Sequence, residues 1–157
     1  MIRLFFILVF LGSASLAQAQ FDVQEKLEKK IIQDKYVAFL TDKGYSPEVD
    51  SDGDVKFTYK ERSYYITIDM KDKNFFRLAR LANLKLDSES QITKAKEICH
   101  EITQDVKVAK VYWLKGVVWT SSEIVLENPD DYSAIFDRVL RLTESAYLKF
   151  VKRWKDA

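Results

Sequence analysis

The segment VKFTYKERSYYITIDM, residues 55–70, decides the fold class of this chain. Apolar side chains occupy every second position from Val55 to Tyr59 and again from Tyr64 to Met70, and Glu61-Arg62 lies between the two runs. A period of two is the pattern of a strand that buries one face and exposes the other. The segment therefore predicts two half-buried antiparallel strands joined by a turn at Glu61-Arg62.

The residues before this hairpin predict a helix and a further strand. Residues 22–43 contain no Gly or Pro and carry apolar side chains at helical spacing, and Gly44 follows as a stop signal. Residues 45–50 are typical of a short strand, which Pro47 restricts to the edge of a sheet. Asp52-Gly53 predicts the tight turn that leads into the next strand.

The residues after the hairpin predict a helix and a second hairpin. Residues 75–81 (FFRLARL) show no clean alternation, and they predict a short helix or an irregular segment. Ser88 and Gln91 have the spacing of a capping box, in which each side chain accepts from the backbone of the other residue, so we expect a helix over 88–104. Residues 106–114 and 117–126 then predict two strands joined at Lys115-Gly116.

The motif Asn128-Pro129-Asp130-Asp131 predicts the start of the last helix. Asn caps a helix well, and proline at the first helical position loses no hydrogen bond. Helical spacing continues to Trp154, which corresponds to about 39 Å at 1.5 Å per residue. This length is large for so small a domain, so we expect one end to project or to contact a partner.

These elements give the order α-β-β-β-α-β-β-α. Strands that follow one another through short turns pair antiparallel, and helices collected on one face of such a sheet form a two-layer α+β sandwich. No linker rich in Pro, Gly or Ser interrupts residues 20–157. Residues 20–157 therefore predict a single α+β domain.

Residues 1–19 have the three parts of a secretory signal peptide. Arg3 supplies the positive charge, residues 4–11 form an unbroken apolar run, and Ala17 and Ala19 stand at the small-residue positions of a cleavage site. The apolar run is too short to cross a bilayer, which needs about 20 residues. The sequence therefore predicts a chain that is exported to the periplasm or secreted, with no membrane contact after cleavage.

The net charge and the single cysteine limit the kinds of partner and of covalent cross-link that we expect. The net charge is +1, and cleavage of the signal peptide would remove one basic residue, Arg3, so that acids and bases balance. A balanced chain is not steered towards nucleic acid, so we expect no nucleic-acid partner. Cys99 is the only cysteine, which excludes an internal disulfide. It lies in the apolar stripe of the predicted helix 88–104, so we expect it to be buried.

The sequence nominates no catalytic residue, metal site or cofactor. The only histidine, His100, is adjacent to Cys99, and neighbouring helical residues point about 100° apart, so the two do not form a nucleophile–base pair. Glu97 and His100 share a helix face, but a di-metal bundle needs a second such pair and further carboxylates. We therefore expect no catalysis by these residues.

Four acidic residues partly match a calcium-binding loop. Asp50, Asp52, Asp54 and Glu61 stand at positions 1, 3, 5 and 12 of the template. The template needs glycine at position 6, where this chain has Val55. We interpret the aspartates as turn residues.

Aromatic residues are the strongest candidates for binding. The alternation of the predicted strands divides five of them between the two sheet faces, and a two-layer fold covers only one face with helices. Aromatic side chains on the other face form a surface that a partner or a second copy would cover. The candidate binding residues are Tyr59, Tyr64, Tyr65, Trp113 and Trp119.

Several segments follow one another in a characteristic order and spacing: Gly44–Asp50, Asp52–Phe57, Tyr64–Ile66, Asn74–Leu78, Val108–Tyr112 and Asn128–Tyr132. In this order and spacing, over about residues 30–152, the chain resembles the YbjN family of candidate bacterial sensory-transduction regulators. The resemblance implies a fold like that of the class I type III secretion chaperones, pairing as a homodimer, and no active site.

Together these observations favour an exported, non-catalytic protein-binding, regulatory or chaperone-like module. Two alternatives stay open at this point. A small-ligand carrier would need an enclosed apolar pocket. A hydrolase would need two carboxylates that converge in a cleft.

Overall fold

The computed structural model describes the backbone of residues 3–157 and the side chains from residue 20 onwards. The predicted signal peptide, residues 1–19, lies outside the described side chains, and export stays a prediction. The helices are α1 (Arg3–Asp42), α2 (Glu89–Asp105) and α3 (Tyr132–Asp156). The strands are β1 (Glu48–Val49), β2 (Val55–Tyr59), β3 (Arg62–Thr67), β4 (Phe75–Asn83), β5 (Ala109–Leu114) and β6 (Val117–Val125).

The six strands form one antiparallel sheet in the order β1-β2-β3-β4-β6-β5. The three helices contribute their buried side chains to clusters on one face of this sheet. The predicted two-layer α+β sandwich is therefore confirmed. No helix in the described part of the chain combines the length and the apolar character that a bilayer crossing requires.

One predicted element is wrong. Residues 75–81 belong to strand β4, which pairs with both β3 and β6 near the middle of the sheet. The alternation of β4 is hidden because the charged Arg80 lies on the helix-covered face, whereas Ala79 is fully buried on the opposite face. The observed order is therefore α-β-β-β-β-α-β-β-α, with a strand where we expected a short helix or an irregular segment.

The β2–β3 turn lies one residue earlier than predicted, at Lys60-Glu61. Both residues have positive φ, 48° and 62°. Two successive left-handed residues form the type of turn that matches strand twist, and Asn-Gly or Asp-Gly usually occupies it. The second hairpin turns at Lys115-Gly116, as predicted, with φ of 49° and 86°.

The core has two parts. Residues from α1 and the first half of α3, including Tyr36 and Phe136, pack on β2, β3 and β4. Residues from α2 and the second half of α3, including Cys99 and Phe150, pack on β5 and β6. Helix α3 does not project, because it spans both parts and its side chains are buried at intervals from its first turn to Phe150.

Side-chain hydrogen bonds define the helix ends and one sheet edge. Ser88 caps α2 by accepting from the Gln91 amide, but the Gln91 side chain accepts from Asp87 instead of Ser88, so the predicted capping box is only half correct. Helix α2 also covers the outer edge of β5. The Thr103 hydroxyl donates to the carbonyl of Val111 over 2.7 Å and accepts from its amide over 2.8 Å.

Candidate binding surface

The strand registers separate the five predicted aromatic residues into two groups. Tyr64 is fully buried, and Tyr59 and Trp113 also pack against the two core clusters on the helix-covered face. Only Tyr65 and Trp119 lie on the other face, which we call the open face. The five residues therefore do not form one surface, because strand alternation sends neighbouring side chains such as Tyr64 and Tyr65 to opposite sides.

Trp119 belongs to an apolar surface that the sequence alone did not predict. Its register partners are Leu81 on β4 and Tyr112 on β5, and Val117 pairs with Leu114 one step further along the hairpin. The rings of Tyr112 and Trp119 are stacked, with centroids 6.1 Å apart and planes at 15°. We call the set the aromatic patch: Leu81, Tyr112, Leu114, Val117 and Trp119.

The aromatic patch is partly accessible to solvent. Leu114 keeps 44% of its surface exposed, and the other four side chains are half-buried. A second apolar pair lies near the opposite end of the open face, where Phe75 is half-buried and Val125 is 71% exposed. A sheet face that contacts only water is usually polar. The open face thus carries more exposed apolar side chains than is typical of such a face.

An ion triad crosses the open face between these two apolar areas. Glu123 Oε1 lies 3.1 Å from Arg77 Nε, and its Oε2 lies 2.6 Å from Lys110 Nζ. Partial burial alone would raise the pKa of Glu123, but the hydrogen bonds from Lys110 and Ser121 and the charge of Arg77 outweigh it, so the pKa is lowered. The triad places a paired carboxylate and two cations at the centre of this face.

A second polar cluster lies on the helix-covered face, between β3 and α3. Glu144 is only 4% exposed, accepts a hydrogen bond from the Tyr64 hydroxyl and lies 3.1 Å from Arg62 Nη1. The Arg80 guanidinium lies 3.9 Å from the centre of the Tyr147 ring. The contacts of Glu144 with Arg62 and Tyr64 join α3 to β3, so this cluster holds α3 on the sheet.

The two residues considered for catalysis, Cys99 and His100, do not form a reactive site. Cys99 is 2% exposed, as predicted, and burial raises the pKa of its thiol to about 12. His100 is exposed and lies 3.1 Å from the amide of Gln104. No group of three or more His, Cys, Asp or Glu side chains that could hold a metal occurs among the residues with described side chains.

The carboxylates of the partial calcium template serve the backbone. Asp50 accepts from the amides of Asp52 and Asp54, and Asp54 accepts from the amide of Ile68, each over 3.0 Å. Burial raises the pKa of Asp54. Glu61 lies in the turn at the other end of β2, so the four acids do not converge.

Comparison with known proteins supports the fold and does not name an activity. No protein-family model and no curated protein matches the sequence. Among solved structures, YbjN from E. coli, a candidate transcription regulator, superposes with a TM-score of 0.58 at 11% identity, over 76% of this chain and 88% of YbjN. An uncharacterized protein from Methanothermobacter thermautotrophicus gives a TM-score of 0.48 at 12% identity, over 78% of this chain and 99% of that protein. The predicted resemblance is thus confirmed at the level of architecture: the chain has a YbjN-like fold.

Proposed function

We propose that this chain is an exported, non-catalytic binding module that contacts a protein partner through the aromatic patch. The observation that carries the proposal is the placement of Tyr112 and Trp119 on the open face while the three helices pack on the opposite one. Trp and Tyr are the residues most often found at the energetic centre of protein interfaces. The neighbouring ion triad supplies the polar surroundings that such a centre usually has.

The simplest partner is a second copy of the chain. Two open faces related by a two-fold axis would each cover the other, which satisfies the requirement that a symmetric dimer uses the same surface twice. The resemblance to YbjN supports a regulatory or binding role and adds no active site. The alternatives of a ligand carrier and a hydrolase gain no support from a specific feature of the described residues.

Light scattering tests the proposal directly. We expect the purified protein at micromolar concentration to have twice the mass of one chain, and the variant Trp119→Asp to have the mass of a monomer. Lys85→Glu is the matched control, because Lys85 is exposed and forms no ion pair in the described part of the chain. Circular dichroism confirms that each variant is folded.

If the wild-type protein is a monomer, the aromatic patch is tested for binding to a different protein. In that case the wild type and Lys85→Glu, used as bait on an envelope fraction, should retain a protein that Trp119→Asp does not retain. A wild-type monomer that retains the same proteins as Trp119→Asp would refute the proposal.

A further inference from the structure

A groove between α3 and the β2–β3 turn has an unusual charge. It encloses about 480 Å³ and opens to solvent on the helix-covered side of the molecule. Tyr59 and Lys60 form one wall, and Leu148 lies on the other. We call it the basic groove, and its cationic residues are Lys60, Arg141, Lys149 and Lys152.

Three of the four cations of the basic groove have no carboxylate partner among the described residues. Arg141, Lys149 and Lys152 form no ion pair in the described part of the chain, whereas Lys35, Lys43 and Arg153 each pair with an acid on another element. Glu144 is the one acidic residue among the described residues that line the groove, and Arg62 and the Tyr64 hydroxyl already contact its carboxylate. Lys60 lies 4.0 Å from the same carboxylate. The groove therefore keeps a positive charge that the protein itself does not neutralise.

The backbone presents Lys60 to the groove at an energetic cost. Lys60 and Glu61 both adopt left-handed conformations, with φ of 48° and 62°, in a turn without glycine. A residue with a side chain is strained in this region, and retained strain is concentrated at functional sites. The other two-residue turn, Lys115-Gly116, has glycine at its second position.

The spacing of the cations selects an extended ligand. Arg141 and Lys152 are eleven residues apart on α3, which corresponds to about 16 Å along the helix axis. A single phosphate cannot contact both ends, whereas an extended peptide of about five residues covers this distance. Leu148 is 41% exposed and lies between the cations, opposite Tyr59. One aromatic ring does not form the series of stacking platforms that single-stranded nucleic acid uses.

We propose that the basic groove binds an extended acidic segment of a partner protein. Its carboxylates pair with Lys60, Arg141, Lys149 and Lys152, and an apolar side chain of the segment packs on Leu148 and Tyr59. This site lies on the helix-covered side, away from the aromatic patch, so it does not depend on the proposed function. Both surfaces can be occupied at the same time.

Fluorescence anisotropy with a labelled peptide tests this site. The probe is an eight-residue peptide in which two leucines separate pairs of glutamates, and the reference peptide replaces every glutamate by glutamine. We expect the purified protein to bind the glutamate peptide at least tenfold more tightly than the glutamine peptide. The double variant Lys149→Glu, Lys152→Glu should lose at least tenfold in affinity, because reversal replaces attraction by repulsion.

The control carries the same change in net charge elsewhere. Lys85→Glu with Lys107→Glu alters two exposed lysines outside the groove, and its affinity should stay within twofold of the wild type. Trp119→Asp should also bind the peptide normally, which separates this site from the aromatic patch. Equal affinity of both double variants would overturn the proposal. So would full competition by millimolar inorganic phosphate, or tight binding of a single-stranded oligonucleotide without binding of the peptide.

Discussion

The hydrogen bond between Tyr64 and Glu144 should stabilise the fold measurably. Tyr64→Phe removes the hydroxyl that donates to a carboxylate only 4% exposed, and it leaves the ring in place. A hydrogen bond to a charged group contributes about 1.5–3 kcal/mol, so we expect the free energy of unfolding to fall by about 2 kcal/mol. Domains of this kind have total stabilities of about 5–15 kcal/mol, so the loss is a large fraction.

Urea unfolding followed by tryptophan fluorescence measures this loss. With a denaturant slope of about 2 kcal/mol per molar urea, the midpoint should fall by about 1 M. Tyr65→Phe makes the same chemical change on the open face, where no described residue hydrogen-bonds to the hydroxyl, and it should change stability by less than about 0.5 kcal/mol. Glu144→Gln weakens the same contact. In a double-mutant cycle of Tyr64→Phe with Glu144→Gln, the losses of unfolding free energy should therefore differ from additivity by about 1–2 kcal/mol. Equal midpoints for Tyr64→Phe and Tyr65→Phe, or zero coupling, would refute this reasoning.

Three further predictions follow from the turn, the thiol and the buried phenols. Replacement of Lys60-Glu61 by Asn-Gly should raise the free energy of unfolding by about 1 kcal/mol, measured by urea unfolding, since it relieves the positive φ of both residues. Burial raises the pKa of the Cys99 thiol to about 12, so little thiolate forms at pH 8 and a thiol reagent should label Cys99 rapidly only in denaturant. Burial raises the pKa of Tyr36 and Tyr64 above the usual 10.0, so their contribution to stability is complete below pH 10 and is lost as pH rises further. A phenol titration at 295 nm should show all tyrosines ionising near pH 10 in urea and fewer in the native protein.

The sequence predicted those elements whose two faces differ in polarity. The hairpin of β2 and β3 alternates cleanly, and Asn128 caps the 3-10 turn Pro129–Asp131 that leads directly into α3, so both elements were predicted. Strand β4 was missed because Arg80 lies on the covered face and Ala79 and Leu81 lie on the open face. The Tyr147 ring covers the Arg80 guanidinium and the Ser63 carbonyl accepts a hydrogen bond from it, and no local sequence pattern reveals these contacts.

The binding surface was only partly predictable for a related reason. Tyr65 and Trp119 were named, but Tyr64 and Trp113 were grouped with them because the register was unknown. The two-residue turn at Lys115-Gly116 fixes the register of the second hairpin. That register places Tyr112 opposite Trp119 and would have shown that both lie on the same face. The basic groove could not be predicted from the sequence, because Lys60 and the cations of α3 are distant along the chain and lie together only in the tertiary structure.

The pairing of Thr103 with Val111 limits how copies of this molecule can associate. A single hydroxyl occupies both the amide and the carbonyl that an incoming strand would need at that point of the β5 edge. At the other end of the sheet, β1 has only two residues and follows Pro47, so it offers a poor template as well. Growth into a continuous intermolecular ribbon is thereby disfavoured. Two copies that meet through their open faces would instead stack like the layers of a sandwich, with backbones about 10 Å apart.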